Sequence, residues 1–245
     1  KTKAAVKLHT LIDLRGSIPT YVAITPGKVA DVKMLDGMPV SEDAIYAMDR
    51  GYVDFARLYA VHEQRAFFVV RAKANLKYKR LYSAPKGKES GVRADQVIAL
   101  VTPKSKKAYP ERLRRVSYFD KGRKQRLVFL SNNFDIPAKT VADIYKQRWQ
   151  VELFFKWVKQ HLRIKSFYGT SVNAVKSQIW VGLCIYLLVA IAKKRLKIQC
   201  SLYTFLQILE VNLFEKKPII LVVSEAHKQT SVENQPCKQL KLFES

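Results

Sequence analysis

Two short apolar runs, Ala44 to Met48 and Ala66 to Val70, are separated by a stretch in which Phe55, Leu58, Tyr59 and His62 recur at helical spacing. This strand, helix, strand crossover restricts the fold more than any other segment, because strands joined through a helix lie side by side in an α/β sheet. Asp49 follows the first of these strands directly, where side chains aim into the crevice at the edge of a sheet, and Gly51 lets the chain turn away without blocking it. A carboxylate in that place is a candidate metal ligand, and a turn or helix-cap Asp is the alternative.

The segments around the crossover extend the pattern. From Ala5 to Thr25, two runs rich in Val, Ile, Leu and Tyr flank Arg15-Gly16-Ser17, which predicts an antiparallel hairpin ended by Pro26-Gly27. A short helix is expected from Asp31 to Leu35, capped by Asp31. After Arg71 the chain is basic and loop-like from Lys73 to Arg80, with Pro85, Gly87 and Gly91 among charges. Val92 to Val101, Arg112 to Phe119 and Gln125 to Leu130 then read as strands with little sign of a helix, so residues 72–135 are expected to be a mostly β insertion.

Helix returns from about Val141 to Leu162, with Thr140 as N-cap and Asp143 three residues on. Ile144, Val151, Phe155, Val158 and Leu162 form an apolar arc suited to a core. Beside it, Tyr145, Arg148, Glu152 and Lys159 fall at spacings of three, four and seven, which return a helix of about 100° per residue to one narrow stripe. Three of these side chains donate hydrogen bonds of the kind phosphate accepts, and the fourth is the hard oxygen ligand that magnesium prefers. The combination points to metal-dependent chemistry on a phosphodiester. An ordinary amphipathic helix with Arg148 and Glu152 paired at i,i+4 is the alternative. Further helices are expected over Ser171 to Lys197 and Leu202 to Leu213, followed by a loose tail.

Charge narrows the partner. The chain has 44 Lys and Arg against 20 Asp and Glu, a formal net charge of +24 spread along most of its 245 residues, which favours a polyanion. A membrane surface is the competing polyanion, but the longest apolar run, Ile179 to Ala192, is shorter than the roughly 20 residues of a spanning helix and reads as a buried core helix. Cys184, Cys200 and Cys237 lack zinc or redox spacing and favour a cytoplasmic, reducing compartment. His9, His62, His161 and His227 show no metal-ligand spacing. The start at Lys1-Thr2-Lys3, without an initiator Met or an apolar leader, suggests a piece of something longer.

Tyr145-x2-Arg148-x3-Glu152-x6-Lys159 resembles the signature of bacterial insertion-sequence transposases of the DDE type, in the insertion-sequence-four group. Met48-Asp-Arg-Gly-Tyr52 resembles the block that holds that family's second catalytic Asp, and Phe68-Val-Val-Arg71 the strand after it. The match runs from about Lys7 to Ala192, and two blocks about 100 residues apart make it specific. The resemblance implies an RNase H-like α/β fold, a mixed sheet flanked by helices. Residues 1–71 would be the first part of the catalytic domain, 72–135 the β-rich insertion, 136–214 the helical second part and 215–245 a tail.

By the same resemblance, Asp49 and Glu152 would be catalytic metal ligands for two Mg2+ ions, with Mn2+ as a substitute. Tyr145, Arg148 and Lys159 would grip DNA phosphates. The implied reaction is cleavage by a metal-activated water to release a 3′ hydroxyl, which then attacks another phosphodiester. The implied partners are double-stranded DNA, as terminal inverted repeats and target, and a second copy on DNA, in a bacterial cytoplasm associated with the nucleoid. The family's first catalytic Asp lies on a strand before the segment that Val6 to Asp13 resembles, so this chain is expected to be inactive alone. Asp13 and Asp31 are poor substitutes for it. Some relatives trap a flipped base with a Trp in the insertion. Residues 72–135 contain none, Tyr82, Tyr109 and Tyr118 read as strand or core residues, and Trp149 and Trp157 as packing. Lys73 to Arg80, Lys104 to Lys107 and Arg112 to Arg115 are expected to include DNA-backbone contacts, with solvated surface as the alternative. A non-catalytic DNA-binding remnant and another RNase H-like nuclease, such as a junction resolvase, are the competing functions.

Overall fold

The computed structural model describes residues 6–85, 91–161, 167–212 and 214–224. Gly87, Leu162, His227, Cys237 and most of the expected tail lie outside them. The chain divides into two compact units, residues 1–155 and 156–245.

The first unit opens with the expected hairpin. Strands β1 (Val6–Asp13) and β2 (Ile18–Pro26) pair antiparallel from Val6 opposite Pro26 to Asp13 opposite Ile18. Asp13 accepts a 3.0 Å hydrogen bond from the Arg15 backbone N–H, and Ser17 takes a left-handed φ of 52°, so a side chain and a strained residue together close the turn.

Six further strands form one sheet in the order β3 (Ile45–Met48), β4 (Phe67–Arg71), β8 (Gln125–Ser131), β7 (Leu113–Asp120), β6 (Val92–Leu100) and β5 (Tyr78–Ser83). Strands β3 and β4 are parallel, joined by helix α1 (Phe55–Glu63), and every other pairing is antiparallel. Asp54 caps α1 through the Arg57 N–H at 3.1 Å. Leu58 and Val61 of α1 bury against Phe68, Val70, Leu113 and Leu130 on one sheet face. Helix α3 (Ala138–Gln147) covers the other face, setting Val141, Ala142 and Tyr145 against Val69, Val116 and Phe129. The result is a mixed α/β fold, a sheet flanked by helices, as the RNase H-like resemblance implies. Buried Asn132 extends the pairing beyond β8, accepting from the Phe68 N–H and donating to the Ala66 carbonyl, both at 2.8 Å.

Several local expectations change. Strand β5 (Tyr78–Ser83) begins inside the stretch from Lys73 to Arg80 that was expected to be loop-like. It is an edge strand with all but one of its residues exposed, so it carries no apolar alternation to read. Helix α2 (Pro103–Ala108) lies between two of the expected strands, where a basic turn rather than a helix was expected. A helix of six residues has no periodicity, and its one signal is the Thr102-Pro103 start, where Thr102 accepts from the Ser105 N–H at 3.3 Å. Asp31 lies in the first turn of a 3-10 helix over Asp31–Asp36 rather than at its cap, which is Ala30, and it accepts from Lys7 at 3.1 Å.

The signature helix starts at Ala138 with no side-chain cap, so Thr140 sits inside it. It also breaks at Arg148 into α3 and α4 (Trp149–His161). Around the break, Arg148 N–H bonds to the Tyr145 carbonyl and Val151 N–H to the Arg148 carbonyl, both at 3.1 Å, a tighter turn than the α-helix provides.

In the second unit, Ser171 caps α5 (Val172–Arg195) and Ser201 caps α6 (Leu202–Val211). Val189, Ile198, Phe205, Leu206 and Val223 form a core. The expectation of a buried core helix holds for one face of α5, through Ile179, Leu183, Tyr186 and Val189. Trp180, Val181, Ile185 and Leu188 on its remaining surface are exposed, and by length and composition alone α5 is long and apolar enough to cross a membrane.

Candidate active site

Asp49 lies at the end of β3, exposed, as its strand-end position predicts. Its Oδ1 accepts from the Arg50 N–H at 2.7 Å, capping a short 3-10 turn over Arg50–Tyr52, and from the Tyr145 hydroxyl at 3.2 Å. The cap reading of this residue is therefore present in the geometry, and it leaves Oδ2 with no protein partner among the described residues. Tyr145 is itself buried under the sheet, its ring 4.7 Å from that of Phe129. Burial, and then the Asp49 charge, raise the Tyr145 pKa, with Arg148 partly opposing, so the hydroxyl stays protonated and donates.

Arg148 occupies the break between α3 and α4, and its Nη2 meets Glu152 Oε1 at 2.7 Å. The i,i+4 pair is thus real, and Glu152 Oε2 has no partner among the described residues. Burial opposes the Arg148 charge. The Glu152 hydrogen bond, with nearby Tyr145, Asp49 and Glu152, outweighs it and raises the pKa. The guanidinium also lies 5.6 Å from the Tyr145 ring centroid. Asp49, Tyr145, Arg148 and Glu152 form one linked group.

A cavity of about 120 Å3 opens beside them. Its walls include His9, Thr10 and Leu11 of β1, and Ala47, Met48 and Asp49 at the end of β3, with Arg148 between. In the described residues β1 pairs only with β2, and β3 only with β4, so the cavity lies between two open strand edges. Thr10 Oγ1 and Arg148 Nε are buried without hydrogen-bond partners. Both residues line the cavity, whose walls are otherwise largely apolar. Two carboxylates, each with a free oxygen, suit a hard divalent cation. Among the described residues, no third His, Cys, Asp or Glu completes a ligand cluster.

Residues 1–188 match the family described as "Transposase DDE domain". The chain belongs to the DDE transposase family.

Three relatives carry names of the same kind. A Sinorhizobium fredii protein named as a transposase is 31% identical over 221 residues, covering 89% of this chain and 62% of its own length. One from Geobacillus stearothermophilus, named for a transposase of insertion sequence element IS5377, is 32% identical, covering 84% of this chain and 55% of its own length. One from Synechocystis, named for a transposase of element IS4SA, is 29% identical, covering 75% and 52%. The chain thus spans 62% or less of the length of the curated relatives it matches.

Within this DDE transposase chain the geometry joins four of the five residues of the sequence reading. Lys159 is exposed farther along α4 and belongs to the second compact unit. Trp149 is 46% exposed beneath the Arg123 guanidinium at 5.5 Å, rather than packed inside, whereas Trp157 stacks edge-on to Tyr186. The basic run from Arg112 to Arg115 divides. Arg112 is exposed, but Arg114 is buried in a fork with Asp95, at 2.9 and 2.7 Å. Sequence reasoning missed Thr10 and His9, which no local pattern distinguishes. It also missed the cavity role of Tyr52, whose signal was its place in the Asp-Arg-Gly-Tyr block.

Proposed function

We propose that this chain contributes the carboxylates of an insertion-sequence transposase that cuts DNA at transposon ends and joins the freed 3′ hydroxyl to a target. The observation that carries the reading is the convergence of Asp49 and Glu152 through Tyr145 and Arg148, with one free oxygen on each carboxylate. In their roles, Asp49 and Glu152 hold divalent metal, which when bound supplies charge stabilisation at the reacting phosphate. Tyr145 orients Asp49. Arg148 orients Glu152 and places a fixed positive charge beside the site. Lys159 grips DNA backbone. A strand entering between β1 and β3 would bring the third carboxylate beside Asp49.

The test is to express the protein with the coding sequence upstream of Lys1 and to assay magnesium-dependent cleavage at cognate inverted repeats. Cleavage that disappears in Asp49→Ala and Glu152→Ala supports the proposal, and full activity in either variant sinks it. That no third carboxylate joins Asp49 and Glu152 among the described residues supports one second reading, a DNA-binding remnant. It requires duplex binding with no cleavage in the extended protein. A resolvase-like nuclease would instead prefer branched DNA to transposon ends.

A further inference from the structure

Away from the carboxylates, the six-stranded sheet carries a second organised surface. Antiparallel partners share a sheet face, as do residues two apart along a strand. The register sets Leu130, Arg115 and Gln96 opposite one another across β8, β7 and β6, and sets Arg126 opposite Phe119 farther along. Helices α1 and α2 adjoin this face at its Leu113 and Leu130 end. Beyond them it presents arginines. Arg115 lies over the Tyr78 ring at 5.1 Å and donates to Gln96 at 2.9 Å. Arg93, at a register shift in β6, lies over the Phe119 ring at 5.3 Å, and Arg126 donates to Ser117 at 2.8 Å.

Among the described residues, no carboxylate pairs with Arg93, Arg115 or Arg126, although five other arginines of the first unit do have carboxylate partners: Arg15, Arg57, Arg65, Arg114 and Arg148. Held against rings and neutral side chains, these guanidiniums keep in-plane donors for a planar oxyanion, while the faces of Tyr78 and Phe119 that they cover are closed to stacking bases. From Arg115 to the Phe119 row is four residues, roughly 13 Å at about 3.3 Å each, which spans several phosphates of a duplex carrying one charge per about 1.7 Å.

We infer that this arginine-bearing sheet face grips the sugar-phosphate backbone of duplex DNA, independently of sequence and apart from the carboxylate site. Its partner rests on the DNA-processing function proposed above. The test measures metal-free binding of a short duplex of arbitrary sequence by the 245-residue chain across a salt series. It compares Arg93→Gln/Arg126→Gln with Lys28→Gln/Lys33→Gln, an equal charge change at exposed lysines that follow β2. The arginine pair should weaken binding about tenfold near physiological salt and lower the log–log salt slope by about 2, and the lysine pair should do less than half of either. All four side chains are exposed, and unchanged circular dichroism confirms the fold. Equal losses, or no loss from the arginine pair, overturn the inference. Because neither metal nor cleavage enters the measurement, its failure is distinct from failure of the catalytic reading.

Discussion

Tyr145 donates its hydroxyl to Asp49 at 3.2 Å, across 96 residues of sequence, and so fastens the signature helix to the end of β3. Tyr145 is 7% exposed, whereas Asp49 faces solvent. The bond therefore orients a carboxylate more than it stabilises the fold. Tyr145→Phe should cost about 1 kcal/mol in urea unfolding. In the extended protein it should slow cleavage on the order of tenfold or more. A wild-type cleavage rate would remove the orienting role.

Arg148→Lys keeps a charge and loses the Nη2 hydrogen bond to Glu152. Because Glu152 is 42% exposed, solvent screens the pair, and stability should fall by no more than about 0.5 kcal/mol. Cleavage by the extended protein should drop far more than stability does, since Glu152 loses its fixed partner. Parallel small losses in both would make the pair structural.

Arg114→Ala should be the most damaging of these variants. It strands Asp95, only 15% exposed, and removes donors to the Asn133 and Ile136 carbonyls. A loss of about 3–5 kcal/mol is expected by denaturant titration. A near-neutral result would mean that the site rehydrates.

Burial holds His9 below its ordinary pKa of 6.5, with Asp31 opposing and Lys7 reinforcing the shift. The unfolded chain therefore takes up a proton at a pH where the folded one does not. This contribution to stability is complete above about pH 6.5 and is lost as pH falls from there toward the folded value. The urea midpoint should drop between about pH 7.5 and about pH 5.5, and less so in His9→Gln. Identical pH profiles would assign the acid sensitivity elsewhere.

Elements with a buried face were legible in the sequence. Helix α1 shows its apolar residues at helical spacing, and β3, β4, β6, β7 and β8 stand out as apolar runs, while β5 at the sheet edge shows nothing. Asp49 and Glu152 could be picked out from a strand end and a helical spacing. Their connection could not, because a contact between a strand end and a distant helix leaves no local pattern. Arg114 was read with its neighbours as basic surface, yet alternation along β7 puts it with Val116 on the inner face, where Asp95 waits across β6. The cavity beside Thr10 depends on which strands fail to pair, which composition does not record.

The most direct measurement is single-turnover cleavage of a transposon-end duplex by the extended protein and by Asp49→Ala, Glu152→Ala and the double variant. Two ligands of one site act as a unit, so each single variant should fall to background and the double should fall no further. Either single variant retaining the wild-type rate would contradict the shared site.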